Sequence, residues 1–370
     1  MNRRTIKING KELKLMKAHI KPNYKSRTVL SNTTFDYIML WLRNNCNAND
    51  AVFYWKQAMD FYNATISLPE ESKPLTAYYS CMNAAKAWLS LNRLDMVNIS
   101  HGVSSSRNDA TEVLSKAEIT YTGSGVLWEL SRLLGESQVK QKYKVQDLLY
   151  NIPCIHRTFS LSYSKFSELF IPVSDVCFDM QNIDDKKVHL TFKLDQRYSS
   201  GLQRRFINNK FEQTYNDETD DVFYRYKKNF KWDIHDTLAN RLSNLVSYHK
   251  KVRPYFHYIV GNQMLWYLKK ELPSNTHIID RSSITLIYGV MHWLSELVRY
   301  NPMLFNKLMN SRQNWLIKEF LDLGLQQFID EISAEIAGTN ITKVSHLFKM
   351  PINKGFLKSS NSRMPINKVV

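Results

Sequence analysis

Asn83, Lys86, His101 and Arg107 form the tightest set of side chains in this chain able to handle a phosphate or move a proton. Asn83 and Lys86 stand three apart, which places both on one face of a helix. His101 and Arg107 flank a serine-rich loop that can fold back beside them. In that arrangement an imidazole serves as general base or acid, while ammonium and guanidinium groups stabilise a phosphate or its transition state. The same residues also admit a structural reading. Asn83 then cross-links the loop, the Lys86 stem runs along apolar surface, and His101-Gly102 ends a helix.

A second group is cationic. Arg204, Arg205 and Lys210 lie around "QRRF", and Arg225, Lys227, Lys228 and Lys231 alternate with aromatic residues in "YRYKKNFKW". Lys250, Lys251 and Arg253 extend the track if these segments pack side by side. Cations interleaved with rings suit single-stranded nucleic acid, whose phosphates meet Lys/Arg and whose bases stack on aromatic faces. A solvated helix face is the competing interpretation. Arg299 in "VRYNP" belongs either to an internal pair with Glu296 or to a phosphate.

The charge is uneven. Residues 1–27 carry nine Lys/Arg against one acid, and residues 338–370 carry six and no acid, so the two ends hold most of the net +16. Basic arms on a nearly neutral body suit a polyanion or an acidic protein partner. The tail repeats "MPINK" at 350–354 and 364–368, which reads as a pair of docking points for a partner subunit. Self-association is a further candidate arrangement. Four scattered cysteines form no C-x-x-C pair and fit reduced thiols in a cytoplasmic protein. There is no G-x-x-x-x-G-K-[ST] loop and no compact His/Cys ligand set, so neither cofactor nor metal is expected. No apolar run approaches the ~20 residues that a membrane span requires.

Helical periodicity marks 34–44, 49–69, 74–89 and 126–135, and again 236–250, 254–270, 282–300 and 313–337. Alternation in "KKVHLTFKLD" (186–195) marks a half-buried strand that can pair with 168–180. "AEITYTGSG" (117–125) reads as a short strand and turn. The expected fold is mainly α. It comprises a basic N-terminal arm (1–27), a helical bundle (28–150), a small β insertion (151–215), a second helical domain (216–337) and a basic flexible tail (338–370).

The segments "AVFYWKQAMDFYNA", "YYSCMNAAKAWLS", "ISHGV" and "LSELVRYNP", in that order, resemble the YaaC-like family of bacterial proteins over roughly 34–337. The first half is also similar to HEPN domains, helical bundles that include RNases and toxins with an R-x(4–6)-H motif. This chain departs from that motif. Seven residues separate Arg93 from His101 and Arg241 from His249, and three separate Arg253 from His257. The resemblance implies a component that binds nucleic acid or a protein partner, in the setting of a bacterial anti-phage defence system. The alternatives are a metal-independent RNase or toxin effector built on His101, Lys86, Arg107 and Asn83, and a structural scaffold subunit.

Overall fold

The computed structural model describes residues 4–46, 49–92, 94, 99–105, 111–180, 186–195, 206–215, 222–261, 264–272 and 274–343. The chain starts with three short strands, β1 (Arg4–Thr5), β2 (Lys7–Ile8) and β3 (Lys11–Glu12), and a fourth, β4 (Val29–Leu30). Helices α1 (Thr34–Asn45), α2 (Asn49–Ser67) and α3 (Lys73–Leu91) follow. A three-stranded meander, β5 (Val103–Ser105), β6 (Glu118–Tyr121) and β7 (Gln141–Lys144), is interrupted by α4 (Val126–Leu134). Next come α5 (Val145–Tyr150), α6 (His156–Ser162), and strands β8 (Phe170–Met180), β9 (Lys187–Leu194), β10 (Phe211–Tyr215), β11 (Val222–Tyr226) and β12 (Phe230–Lys231). Helix α7 (Leu238–Val252), the hairpin β13 (Phe256–Ile259) and β14 (Leu265–Lys269), helices α8 (Ser283–Tyr300), α9 (Pro302–Met309), α10 (Asn314–Glu319) and α11 (Leu325–Ala337), and β15 (Ile341–Thr342) complete it.

The protein is 47% helix and 20% strand, with an eight-stranded antiparallel sheet, so the mainly α expectation is overturned. The main path of that sheet runs β10-β11-β9-β8-β14-β13, with β1 beside β8 and β12 beside β9. The pairing of 168–180 with 186–195 is present as β8 against β9. It is the centre of a large sheet, and a helix expected over 254–270 is instead the β13–β14 hairpin. The physical reason lies in burial. On β13 and β14, Phe256, Tyr258, Trp266, Tyr267 and Leu268 are all buried. On β14 Trp266, Tyr267 and Leu268 are buried in succession, so that strand loses its in–out alternation and reads as an unbroken apolar run, which periodicity alone cannot distinguish from helix.

Two apolar cores result. One unites α1–α6 with α8–α11, and the other joins the sheet to α7 and the N-terminal segment. Ile6, Leu13, Leu15, Met16 and Tyr24 belong to the second core. Residues 4–27 are therefore woven into the fold rather than free. Lys17 is buried and donates to Asp330 at 2.8 Å and to the carbonyl of Ile341 at 2.7 Å. A buried ammonium requires such a partner, because desolvation alone costs several kcal/mol. The "MPINK" copies lie outside the described residues.

Helix α8 is the axis of the helical layer. Every residue from Ser283 to Ser295 is buried, as expected for a helix apolar on all sides. Ser282 caps it, accepting from the Ile284 N–H at 3.3 Å, and Pro302 stops its continuation. At Gly289 the ring of Tyr121 from β6 fills the space that any Cβ would need, and Tyr121 donates to the Thr285 carbonyl at 2.8 Å. The glycine lets strand and helix make contact there. Among the described residues no helix is long and apolar enough to cross a membrane.

Candidate functional site

The seam between α3 and α8 gathers the groups with most chemical potential. Tyr78 on α3 is buried and sits among three aromatic partners, Tyr288, His292 and His101, with ring centroids at 5.6, 5.0 and 5.5 Å. His101 arrives from the loop before β5. That loop is pinned by the start of α4, whose Val126 and Leu127 N–H groups donate to the carbonyls of Ser100 and His101 at 2.8 and 3.2 Å. The arrangement needs two glycines in the left-handed region, Gly102 at φ +80° and Gly125 at φ +102°. The "TGSG" turn is thus what holds His101 in place.

The hydrogen bonds around His101 close into a ring. Its Nδ1 lies 2.5 Å from the Tyr78 hydroxyl, Tyr78 and Tyr288 hydroxyls are 3.2 Å apart, and Tyr288 donates to the His101 carbonyl at 3.3 Å. Tyr288 has one proton and spends it on that carbonyl, so its oxygen accepts from Tyr78. Tyr78 in turn has spent its proton and accepts from His101 Nδ1–H. This assignment uses each hydroxyl proton once and leaves the lone pair on His101 Nε2, the atom free to act as a base. His101 itself is exposed to solvent.

Nearby groups set the proton affinity. Burial lowers the pKa of His101, and Lys86 and Arg299 lower it further against the opposing pull of Glu296. His292, with its ring 5.5 Å from that of His101, is held neutral, its pKa pushed down to about 3 by burial, His101 and Arg299. The buried His292 Nδ1 has no hydrogen-bond partner among the described residues and stands 3.9 Å from Glu296, whose carboxylate accepts from the Ser105 hydroxyl. Lys86 has its ammonium 5.3 Å from the centre of the Tyr54 ring, and burial lowers its pKa too. Arg299 donates to the Tyr300 hydroxyl at 2.8 Å and is exposed. The result is a neutral, outward-facing imidazole beside two cations.

Of the four residues read from the sequence, the structure unites His101 and Lys86. Asn83 is buried, and its amide is spent on the Tyr79 carbonyl at 2.9 Å within α3. Arg107 lies outside the described residues. Tyr78, Tyr288 and His292 were missed as functional groups. The spacing of Tyr288 and His292, four apart on α8, was a signal for one shared face, but nothing local ties that face to α3.

The cationic residues meet different fates. Arg204 and Arg205 lie outside the described residues. "YRYKKNFKW" forms β11 and β12 instead of a helix face, and Tyr224, Tyr226, Phe230 and Trp232 are buried core residues with no face left for a base. Arg225 pairs with Glu212 at 2.6 Å across β10–β11. Lys227, Lys228, Lys231, Lys250 and Lys251 are exposed. The hairpin and α7 are neighbours, since Tyr248 donates to the Lys228 carbonyl at 2.8 Å and Asn244 to the Lys231 carbonyl at 3.4 Å. Arg253 is buried and donates to the carbonyls of Met16, Lys17 and Phe256, which removes it from any surface track. Among the described residues no three His, Cys, Asp or Glu side chains converge on a site for a metal ion.

Fold and seam together describe an α+β protein with an antiparallel sheet, a helical layer, and an imidazole–tyrosine group between two helices. The model of the YaaC-like protein family matches residues 17–336, and the chain belongs to that family. No curated protein and no solved structure matches it.

Proposed function

We propose that this YaaC-like protein binds RNA and breaks its phosphodiester bonds at the α3–α8 seam. The observation that carries the reading is the hydrogen-bonded ring that leaves His101 Nε2 unprotonated and facing solvent beside Lys86 and Arg299. His101 takes the proton of a ribose 2′-hydroxyl, and the freed oxygen attacks the adjacent phosphorus. The bond from phosphorus to the 5′-oxygen breaks, and Lys86, whose lowered pKa makes it the better proton donor, protonates that leaving oxygen. Arg299 offsets the charge that builds on the phosphoryl oxygens. The product is a 2′,3′-cyclic phosphate. An effector of this kind suits a bacterial anti-phage system.

A second reading, binding without cleavage, is favoured by the exposed lysines of the β11–β12 turn and α7. They gather five positive groups on adjoining elements. In that reading the protein recruits nucleic acid or an acidic subunit and acts as a scaffold.

One experiment separates the two. Full-length protein is incubated with labelled single-stranded RNA, and both cleavage and affinity are followed across salt. His101→Ala should lower cleavage by roughly 100-fold or more while affinity stays unchanged and falls steeply with salt. Cleavage that survives in folded His101→Ala refutes the catalytic assignment. Salt-insensitive affinity refutes the polyanion reading.

A further inference from the structure

A cavity of about 470 Å³ opens between the sheet and the helical layer, bounded by the N-terminal segment, the end of α4, the β13–β14 hairpin, the start of α8 and α11. Its walls are densely charged, and the two signs differ in how they are served. Each buried acid already has donors. Glu136 accepts from Arg281 at 2.8 Å, from the Ser282 N–H at 2.6 Å and from the Thr285 hydroxyl at 2.9 Å, closing the N-terminus of α8. Glu331 accepts from the Ser283 hydroxyl and from Gln327 Nε2, both at 2.7 Å. Glu335 accepts from the backbone N–H groups of His19 and Ile20.

The basic groups are left with donors to spare. Lys269 spends one of its three N–H bonds on the Ile279 carbonyl at 2.6 Å. The Nε2 of His257 is buried with no hydrogen-bond partner among the described residues. Arg253 makes no ion pair with any described acid, its N–H groups going to backbone carbonyls. Lys269 and Arg253 together disfavour a charge on His257, which stays neutral. Burial brings Lys269 down to about 8, and burial with Lys269, Arg253 and His19 holds His257 well below its ordinary value. Buried polar groups left unpaired are costly, so an unfilled set of donors on one wall calls for acceptors from outside.

The geometry points to a binding site for a small organic anion, a carboxylate- or phosphate-bearing metabolite, whose acidic end is held by Lys269 and His257 in the field of Arg253. The volume matches that of ordinary small-molecule sites, which span roughly 300–1,000 Å³. Asp280 at the exposed rim adds negative charge near Lys269, which disfavours a second acidic group at the mouth. The site shares no residue with the His101 group, so it stands or falls independently of RNA cleavage.

The test uses full-length protein and a thermal-shift titration with inorganic phosphate, glycerol 3-phosphate, glycerate and lactate, each against potassium chloride at matched ionic strength. One class, phosphates or carboxylates, should raise Tm in a saturable way and so identify the ligand's acidic group. Lys269→Met and His257→Gln should each weaken the response by about tenfold or more, the worth of a hydrogen bond to a charged group. If Lys269→Met does not fold, His257→Gln decides. No rise beyond chloride for any of the four, or an unchanged response in a folded variant, overturns the proposal.

Discussion

At the scale of single residues, the tautomer of His101 is the decisive quantity. Tyr78 matters because its oxygen accepts the Nδ1 proton and so leaves Nε2 free. Tyr78→Phe keeps the packing and removes that acceptor. The bond is worth about 1 kcal/mol, so a cleavage rate should fall roughly fivefold. The same bond is stronger to an imidazolium than to a neutral ring, so its loss lowers the pKa of His101 and moves the acid limb of the pH–rate profile downward. A profile that does not move would mean that Tyr78 only fills space. His101 and Lys86 were readable in the sequence because both sit within one helix–loop stretch. Tyr288 and His292 come from 187 or more positions further along the chain, a separation at which spacing carries no information.

At the scale of elements, the loop that presents His101 depends on backbone geometry. An added Cβ at Gly125 would come within 2.6 Å of the Ser100 carbonyl oxygen, in a φ of +102°. Gly135, at φ +71°, faces open space. Gly125→Ala should therefore cost about 2 kcal/mol, against about 1 kcal/mol for Gly135→Ala, measured by denaturant unfolding. Equal costs would show that the loop tolerates displacement. Helices were the legible elements: α1, α2, α3, α4, α7 and α8 fall close to where periodicity puts them. Among the strands, β6 of the meander and β8 and β9 of the large sheet were legible. Val188, Leu190 and Phe192 on β9 alternate with polar side chains. Strand β14 offers no such alternation and β13 is only four residues long, although Gly261-Asn262 between them was a turn signal.

At the scale of the whole molecule, several buried histidines tie stability to pH. Burial and neighbouring positive charge hold His19 at about 4 and His249 at about 3, and burial with His101 and Arg299 holds His292 at about 3. Between those values and the ordinary 6.5 the unfolded chain binds protons that the folded protein refuses, so stability falls as pH drops below 6.5. Each such group adds about 1.4 kcal/mol per pH unit at most. Glu335, raised to about 7 chiefly by burial, acts in the opposite sense: it favours the folded form below its own value and loses that contribution as pH rises through 7. His19, His101, His189, His249, His257 and His292 are all lowered, against the raised carboxyls of Glu136, Glu331 and Glu335, so the imidazoles outnumber the acids and Tm should decline from pH 6.5 to 5. Glu335→Gln should steepen that decline, and a flat profile would contradict the buried state of these rings.

The charge of the N-terminal segment was legible, but its fate was not. Nothing in nine closely set cations announces that Lys17 will find Asp330 in the interior. That ammonium meets a carboxylate 313 positions downstream, and β4 lies parallel to β15, so Val29 aligns with Ile341. During synthesis those early residues emerge first and must wait, unclosed, until nearly the whole polypeptide has followed them. The helix-side core, to which Ile341 belongs, is thus completed only when β15 has left the ribosome, and a product arrested shortly before it would expose apolar surface to the cell's quality-control machinery.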